Sequence, residues 1–392
     1  MSGVSFMEKL LDGVRVEWLR LGEIGELVRG NGLPKTDFTE NGVPAIHYGQ
    51  IYTYYGNETV QTLSFVSSET AKKLKKVNKG DVVITNTSEN LEDVGKALLY
   101  LGEAQAVTGG HATIFKPDPK ILGKYFVYCT QHSFFFDAKR KLAKGTKVID
   151  VSATDMAKIK FPIPCPDNSK KSLEIQAEIV RILDAMTAHT AELTAELTAR
   201  KKQYDYYRDK LLSFEEGEVE WSALGEVARI KNGKDHKSLS EGSIPVYGSG
   251  GIMRYVNKYA YDQPSVLIPR KGSLGNLFYI DKPFWNVDTI FYTEVNDSII
   301  KPKFLYYFLT TAKLGEMNQA GGVPSQTQSV LNKLMIPVPS LEVQSRIVAI
   351  LDKFDALTSS LTEGLPREIE LREKQYAYYR DLLLSFPGAQ AA

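Results

Sequence analysis

KKQYDYYRDKLLSF fills residues 201–214 and EKQYAYYRDLLLSF fills residues 373–386, with eleven of the fourteen positions identical. A match this long marks an internal repeat, which is followed outward before anything else. Upstream stand IQAEIVRILDAM (175–186) and VQSRIVAILDKF (343–354), and before them FPIP (161–164) and IPVP (336–339). In the other direction, VEWLRLGEIGELV (16–28) answers VEWSALGEVARIK (219–231). The chain is therefore two tandem halves, each a globular segment followed by a long helical one. Glu8-Lys9-Leu10-Leu11 resembles Asp209-Lys210-Leu211-Leu212, so the first residues read as the end of a repeat unit. A repeat cut in mid-unit predicts a closed pseudo-symmetry in which the two chain ends meet.

Composition sets wide limits. The 392 residues are 43% hydrophobic and 24% charged, a globular profile with room for two or three domains. No apolar run reaches membrane-spanning length and the first residues lack the form of a signal peptide, which predicts a cytoplasmic chain with no membrane partner. Cys129 and Cys165 have neither metal-ligand nor disulfide-framework spacing and read as buried free thiols. A net charge of +1 argues against a uniformly basic nucleic-acid binder. Yet KKLKKVNK (72–79) and KRKLAKGTK (139–147) contain no acid. Each run alone reads as a solvated face; together they make one globular half locally basic.

Over 173–213 the apolar residues Ile175, Ile179, Ile182, Met186, Leu193 and Leu197 step by threes and fours, with His189 completing a heptad-like seam. Val343, Ile347, Ile350, Phe354, Leu357 and Leu361 repeat it. A helix of roughly 60 Å cannot bury such a stripe alone. The other copy is the obvious partner, and pseudo-symmetry predicts an antiparallel coiled coil. Tyr204, Tyr207, Leu211 and Phe214 continue the stripe, as do Tyr376, Tyr379, Leu383 and Phe386. Tyr206, Arg208 and Asp209, with Tyr378, Arg380 and Asp381, fall off it. Off-seam residues kept in both copies point to a second surface, and aromatics with arginine are the chemistry of a protein–protein hot spot. Asp352 to Gln375 is four residues longer than Asp184 to Gln203. The excess coincides with Gly364-Leu365-Pro366, which predicts a break in the second helix.

Both globular segments open with Trp-x-x-Leu-Gly-Glu and then alternate strand-like runs with Gly, Ser and Asn turns. GDVVITNTS (80–88) and GKALLYLG (95–102) stand in the first, SVLIPRKGS (265–273) and LGNLFYID (274–281) in the second. HATIF (111–115) parallels DTIFY (288–292), and helical runs follow at 124–143 and 301–317. This is a mixed α/β fold, with function expected on the loops. Those loops differ far more than the helices do: TNTSEN (85–90) faces PRKGSLGN (269–276). Their polar and basic residues suit phosphates and base edges. The candidate contacts are Tyr48, Gln50, Asn86, Thr87, Ser88, Arg140, Lys144, Thr146 and Lys147 in the first segment. In the second they are Tyr247, Ser249, Arg270, Lys271, Ser273 and Gln326.

The paired KQYxYYRDxLLSF endings, the VEWxxLGE openings, the TAEL repeat and LTEGLPREIELREKQYAYYRD closely resemble the type I restriction–modification specificity subunits, over essentially the whole chain. That resemblance implies two α/β target-recognition domains in tandem, each reading half of a bipartite site in double-stranded DNA. It also implies two helical conserved regions that form the spacer and bind two copies of a methyltransferase subunit. Restriction or translocase subunits are expected beside them. The implied layout is an N-terminal segment (1–15), recognition domains at 16–166 and 216–339, helical regions at 172–215 and 340–386, and a tail (387–392). The implied function is non-catalytic. S-adenosylmethionine would belong to the methyltransferase partner, and ATP with magnesium to a restriction partner, so this chain itself holds no cofactor.

The residues agree with that division of labour. There is no Gly-rich S-adenosylmethionine loop, no Asn/Asp-Pro-Pro-Tyr/Phe tetrapeptide and no Walker A sequence. The five histidines, His47, His111, His132, His189 and His236, have no ligand spacing. An adapter for a methylation-only or fused methyltransferase system is an alternative. A coiled-coil scaffold without DNA would leave the two α/β segments unexplained, and would lack a steep salt dependence on DNA. Thr190-Ala191-Glu192-Leu193-Thr194-Ala195-Glu196-Leu197 is two TAEL units in succession. Each is close to one helical turn, so this stretch is the expected ruler of the spacer.

Overall fold

The computed structural model describes residues 13–215, 217–317, 323–360 and 362–386. Most of the expected N-terminal segment, including Glu8–Leu11 and the meeting of the chain ends, lies outside the described residues, as does the tail. The chain divides into two compact units, residues 1–192 with 370–392 and residues 193–369.

In the first unit, the two phrases that bracket the globular segment lie side by side. Val16–Arg20 pairs antiparallel with Lys160–Pro164, in the register Trp18 to Pro162. Two five-stranded sheets stand between them. One runs in the order Gly25–Arg29, Ala112–Pro117, Val82–Thr85, Ala97–Tyr100, Glu58–Thr59. Its last pair is parallel and the others antiparallel. The other runs Phe38–Thr39, Ser64–Val66, Val43–Ile46, Ala106–Thr108, Lys75–Val77. Val82–Thr85 and Ala97–Tyr100 are wholly buried, as near-continuous apolar strands require.

The helical run expected over 124–143 is two helices, Gly123–Cys129 and Ser133–Leu142. The first ends with Thr130 as its C-cap, and His132, extended in its backbone, caps the second by accepting the Phe134 N–H at 3.2 Å. Cys129 is buried, and burial pushes its thiol pKa up. Cys165 is only partly buried, which corrects the expectation of two buried thiols.

The second unit repeats the plan with fewer strands. Glu220–Ala223 pairs antiparallel with Met335–Val338, in the register Trp221 to Pro337. An antiparallel sheet runs Ala228–Lys231, Ile290–Val295, Ser265–Pro269, Phe278–Ile280. A smaller one runs Gly251–Val256, Ile244–Gly248, Trp285–Asn286, the last pair parallel. The expected helix after them is Pro302–Thr311.

The central helix spans Ser169–Leu211 and passes unbroken through the TAEL units. The second copy is two helices, Leu341–Thr358 and Gly364–Leu384, as the Gly-Leu-Pro insert predicted. Gly364 has φ of 75°, and an added Cβ would stand 2.4 Å from the Ala356 carbonyl oxygen, so this turn requires glycine.

The heptad reading needs one correction. Buried apolar residues near the start of each helical copy include Ile175, Ile179 and Leu183 in one, and Ile347 and Leu351 in the other. Ile175, Ile179 and Leu183 join the core of the first globular segment and Ile347 and Leu351 that of the second, whereas the repeat ends cross over: Leu383, Leu384 and Phe386 join the first core, and Leu212 the second. Ile182, Met186 and His189 line a cavity of about 370 Å³ with Arg372, Gln375 and Tyr379 in the first unit. Tyr207 stacks on Phe354 at 5.9 Å and 26° in the second. The helical copies thus bury apolar residues against a globular core as well as against a helix, and a single stripe could describe only one of these.

Candidate nucleic-acid interface

Where the strand Val82–Thr85 ends, the chain enters a knot of loops. The Asn86 N–H donates to the His111 carbonyl at 2.8 Å, and the Asn86 carbonyl accepts from the Val151 N–H at 2.9 Å. Thr87-Ser88 pairs antiparallel with Ile149-Asp150, and Lys144 exchanges two backbone bonds with Asp150. The Tyr52 hydroxyl donates to the Thr87 carbonyl. Burial pushes the Tyr52 pKa up to about 12, so it remains a donor. The Tyr48 ring lies 4.8 Å from His111 and 4.6 Å from His47. Burial, then the charge of Lys35 and the neighbouring His111, lowers the His47 pKa and favours its neutral form.

Tyr48, Thr87, Ser88 and Lys144 thus come together at one end of the sheet, with Thr146 and Lys147 exposed on the adjoining loop. Other candidates have different places. Asn86 is fully buried and its Oδ1 accepts from Thr113 Oγ1 at 2.8 Å. Thr87 is also buried, its Oγ1 2.9 Å from His111 Nδ1. Gln50 is held by Ser64 Oγ at 2.6 Å, and Arg140 lies on its helix 3.5 Å from Asp137. Asn86 and Thr87 are scaffold rather than exposed contacts. Their polarity is what the sequence showed, and strand-end polar residues serve frames as well as ligands.

Lys139, beside Arg140, was not singled out. Its ammonium is buried and donates to the carbonyls of Glu92 at 2.9 Å and Val94 at 2.6 Å. Desolvation lowers its pKa to about 8. It ties down the loop that follows Ser88.

The second sheet ends in the same way with other side chains. The Arg270 N–H donates to the Thr289 carbonyl at 2.9 Å, and the Arg270 carbonyl accepts from the Gln326 N–H at 3.0 Å. By these bonds Arg270 stands where Asn86 does, Thr289 where His111 does, and Gln326 where Val151 does. The Gly272 N–H donates to the Pro324 carbonyl at 2.8 Å, and the Ser249 N–H donates to Thr289 Oγ1 at 3.3 Å. The Arg270 guanidinium lies 5.8 Å from the Phe291 ring centre, and Lys271 Nζ lies 3.9 Å from Asp288. Tyr247 is half-buried between Phe278 and Phe284. Gln326 is buried and donates to the Pro269 carbonyl, so it too is scaffold. Ser249, Arg270, Lys271 and Ser273 converge.

On the helices, Tyr206 is 60% exposed and Tyr378 64%. Each ring meets its neighbour, Tyr207 or Tyr379, edge to face at 5.3 Å. Arg208 lies over Tyr204 at 5.6 Å and bonds Asp209 at 2.8 Å. Arg380 lies over Tyr376 at 5.8 Å and bonds Asp381 at 2.9 Å. Arginine and aspartate are therefore held by local bonds, while Tyr206 and Tyr378 keep most of their surface exposed, with Lys210 Nζ 5.9 Å over the Tyr206 ring.

The profile described as the type I restriction modification DNA specificity domain matches residues 14–200 and again 216–371. The chain belongs to the type I restriction–modification specificity subunits. It is 37% identical to the EcoR124I/EcoR124II specificity subunit of Escherichia coli, over 99% of this chain and 98% of that one. It is 35% identical to the EcoprrI specificity subunit of the same species, over 93% of each chain. Its fold resembles the S subunit of M. genitalium, with a TM-score of 0.58, 19% identity and coverage of 97% and 98%. As a specificity subunit it is non-catalytic and supplies DNA recognition to its complex.

Two repeated residue pairs of this specificity subunit, Gln176 with Gln344 and Asp184 with Asp352, escaped the sequence reading. Gln176 accepts from the Leu122 N–H and donates to the Lys120 carbonyl, both at 2.9 Å. Gln344 accepts from the Lys301 N–H at 2.7 Å and donates to the Ile299 carbonyl at 3.0 Å. Asp184 accepts from the Tyr128 hydroxyl and lies 3.2 Å from Lys124 Nζ. Asp352 accepts from the Tyr307 hydroxyl at 2.6 Å and lies 2.9 Å from Lys303 Nζ. Burial, then the bond to aspartate, raises both tyrosine pKa values. The signal was present: a Gln and an Asp eight residues apart, repeated inside an apolar stripe.

Proposed function

We propose that each sheet end reads one half of an asymmetric, bipartite duplex DNA target, and that Tyr206 and Tyr378 each centre a docking face for one of two identical methyltransferase subunits. The observation behind this reading is a single backbone frame with Asn86, His111 and Val151 in one copy and Arg270, Thr289 and Gln326 in the other. A frame that is kept while its side chains change holds two different readers. Tyr48, Ser88, Lys144, Thr146 and Lys147 serve the first half-site, and Ser249, Arg270, Lys271 and Ser273 the second. S-adenosylmethionine belongs to the methyltransferase, and ATP with magnesium to a restriction subunit where one joins. The complex works in the cytoplasm, where the DNA is.

The test is a domain exchange. Residues from Trp221 to Pro337 are replaced by the corresponding segment of another specificity subunit, and methylated sites are mapped genome-wide. One half of the target changes and the other stays. Alteration of both halves would overturn independent reading.

A further inference from the structure

The second recognition domain carries an apolar surface that packing does not explain. Ile252 is 49% exposed and Met253 59%, on the outer strand Gly251–Val256 of the smaller sheet. The register of this strand against Ile244–Gly248 shifts between Val246 and Tyr247: Arg254 faces Val246, Ile252 faces Tyr247, and Met253 is the extra residue. A bulge of this kind re-aims a side chain and is frequent beside functional sites.

Met253 is aimed at the candidate site. A Cβ added to Gly248 would stand 2.8 Å from Met253 Sδ and 3.4 Å from Thr289 Oγ1. Thr289 Oγ1 accepts the Ser249 N–H, and the Thr289 carbonyl accepts the Arg270 N–H. The thioether therefore lies across the glycine backbone, beside the loop that carries Arg270, Lys271 and Ser273. The hairpin 244–261 contains Arg254 and Lys258 and no acidic residue. Its charge is complementary to phosphate, and a paired β-ribbon is of a size that the major groove admits.

We propose that Ile252 and Met253 read the 5-methyl group of a thymine in the major groove of the second half-site. This rests on the assignment of that half-site to the second domain. Of the four bases only thymine presents a methyl group there, and apolar side chains are its usual partners. Polar neighbours on Arg270 and Lys271 hold the duplex, while the apolar pair excludes water from the methyl group. A cytosine at the same position would bring its amino group against sulfur and aliphatic carbon and leave a donor unpaired.

The test uses the assembled complex with its methyltransferase and the target mapped by methylation. Duplexes carry uracil in place of each thymine of the second half-site in turn, which removes the methyl group and nothing else. One position loses about fourfold in affinity, the value of one methyl-sized group returned to water. Met253→Ala, alone or with Ile252→Ala, binds the thymine duplex more weakly and no longer distinguishes uracil there; Met253→Leu retains the distinction. Uracil in the first half-site serves as the control and is indifferent to both variants. A second half-site without an A·T pair, no sensitive position, or sensitivity unchanged in the alanine variants would overturn the proposal. So would alanine variants that lose the methyltransferase subunit in the absence of DNA, which would make this a protein interface. Failure of the complex to bind any duplex would instead indict the half-site assignment.

Discussion

Gln176 and Gln344 make the same bonds in two copies of a helix, while Asn86 and Arg270 share a backbone position and have unrelated side chains. Both pairs descend from one duplication. The helix residues hold a helix against its own domain by side-chain bonds to the main chain of that domain. The sheet-end residues share a frame built by main-chain bonds, and each side chain meets its own surroundings, Asn86 a buried bond from Thr113 and Arg270 the Phe291 ring. Main-chain scaffolding permits divergence, and side-chain scaffolding forbids it.

The largest expected effect breaks that contrast at its one irregular point, the helical stretch where length rather than contact is repeated. Inserting a further Thr-Ala-Glu-Leu after Leu197 lengthens the helix by about 6 Å and turns its continuation by about 40°. One base pair advances about 3.4 Å and turns about 36°. Methylation mapping should show both half-sites unchanged and the spacer longer by one base pair, with two as the outer limit. Full activity at the old spacing would refute the ruler.

Next in size is the exposed tyrosine pair. Tyr206→Ala with Tyr378→Ala should weaken assembly with methyltransferase by about 2 kcal/mol or more per site, leaving the thermal transition in place. Either single variant should weaken one of two sites in a titration. Unaltered stoichiometry and affinity in the double variant would remove the docking assignment.

The smallest effect sharpens the comparison directly. Gln176→Ala and Gln344→Ala each remove the buried side-chain partner of a part-buried N–H and a part-buried carbonyl, a loss of about 1 kcal/mol apiece. Thermal unfolding should register similar losses for the two, because the bonds match. A large loss for one and none for the other would show that the helices hold their domains by different means.

How much of this could be read in advance follows the same line. The tandem halves, the long helix, the break at Gly364 and most core strands were legible because repetition, apolar runs and Gly-Pro punctuation act locally. The order of strands within the sheets was not, since parallel pairs such as Val107 with Ala45 join distant segments. The sequence also showed which loops were polar but not which polar groups face inward. Asn86, Thr87 and Gln326 resembled ligands by type and are buried. Lys139 lay in a basic run and is an anchor for two carbonyls. Hydrogen-bonding capacity is written in the sequence, and its direction is set by the fold.

The strand pairs that close each globular segment have a genetic consequence. Val16–Arg20 lies against Lys160–Pro164, and Glu220–Ala223 against Met335–Val338. Entry and exit are thus neighbouring strands, separated by about 5 Å. Everything between them is a cassette with its two ends on one doorstep. Recombination with crossovers in the VEW and Pro-x-Pro codons would exchange a whole reader in one event, with no linker to redesign. A bacterium could acquire a new DNA address by shuffling gene fragments, and leave the enzyme that acts on it untouched.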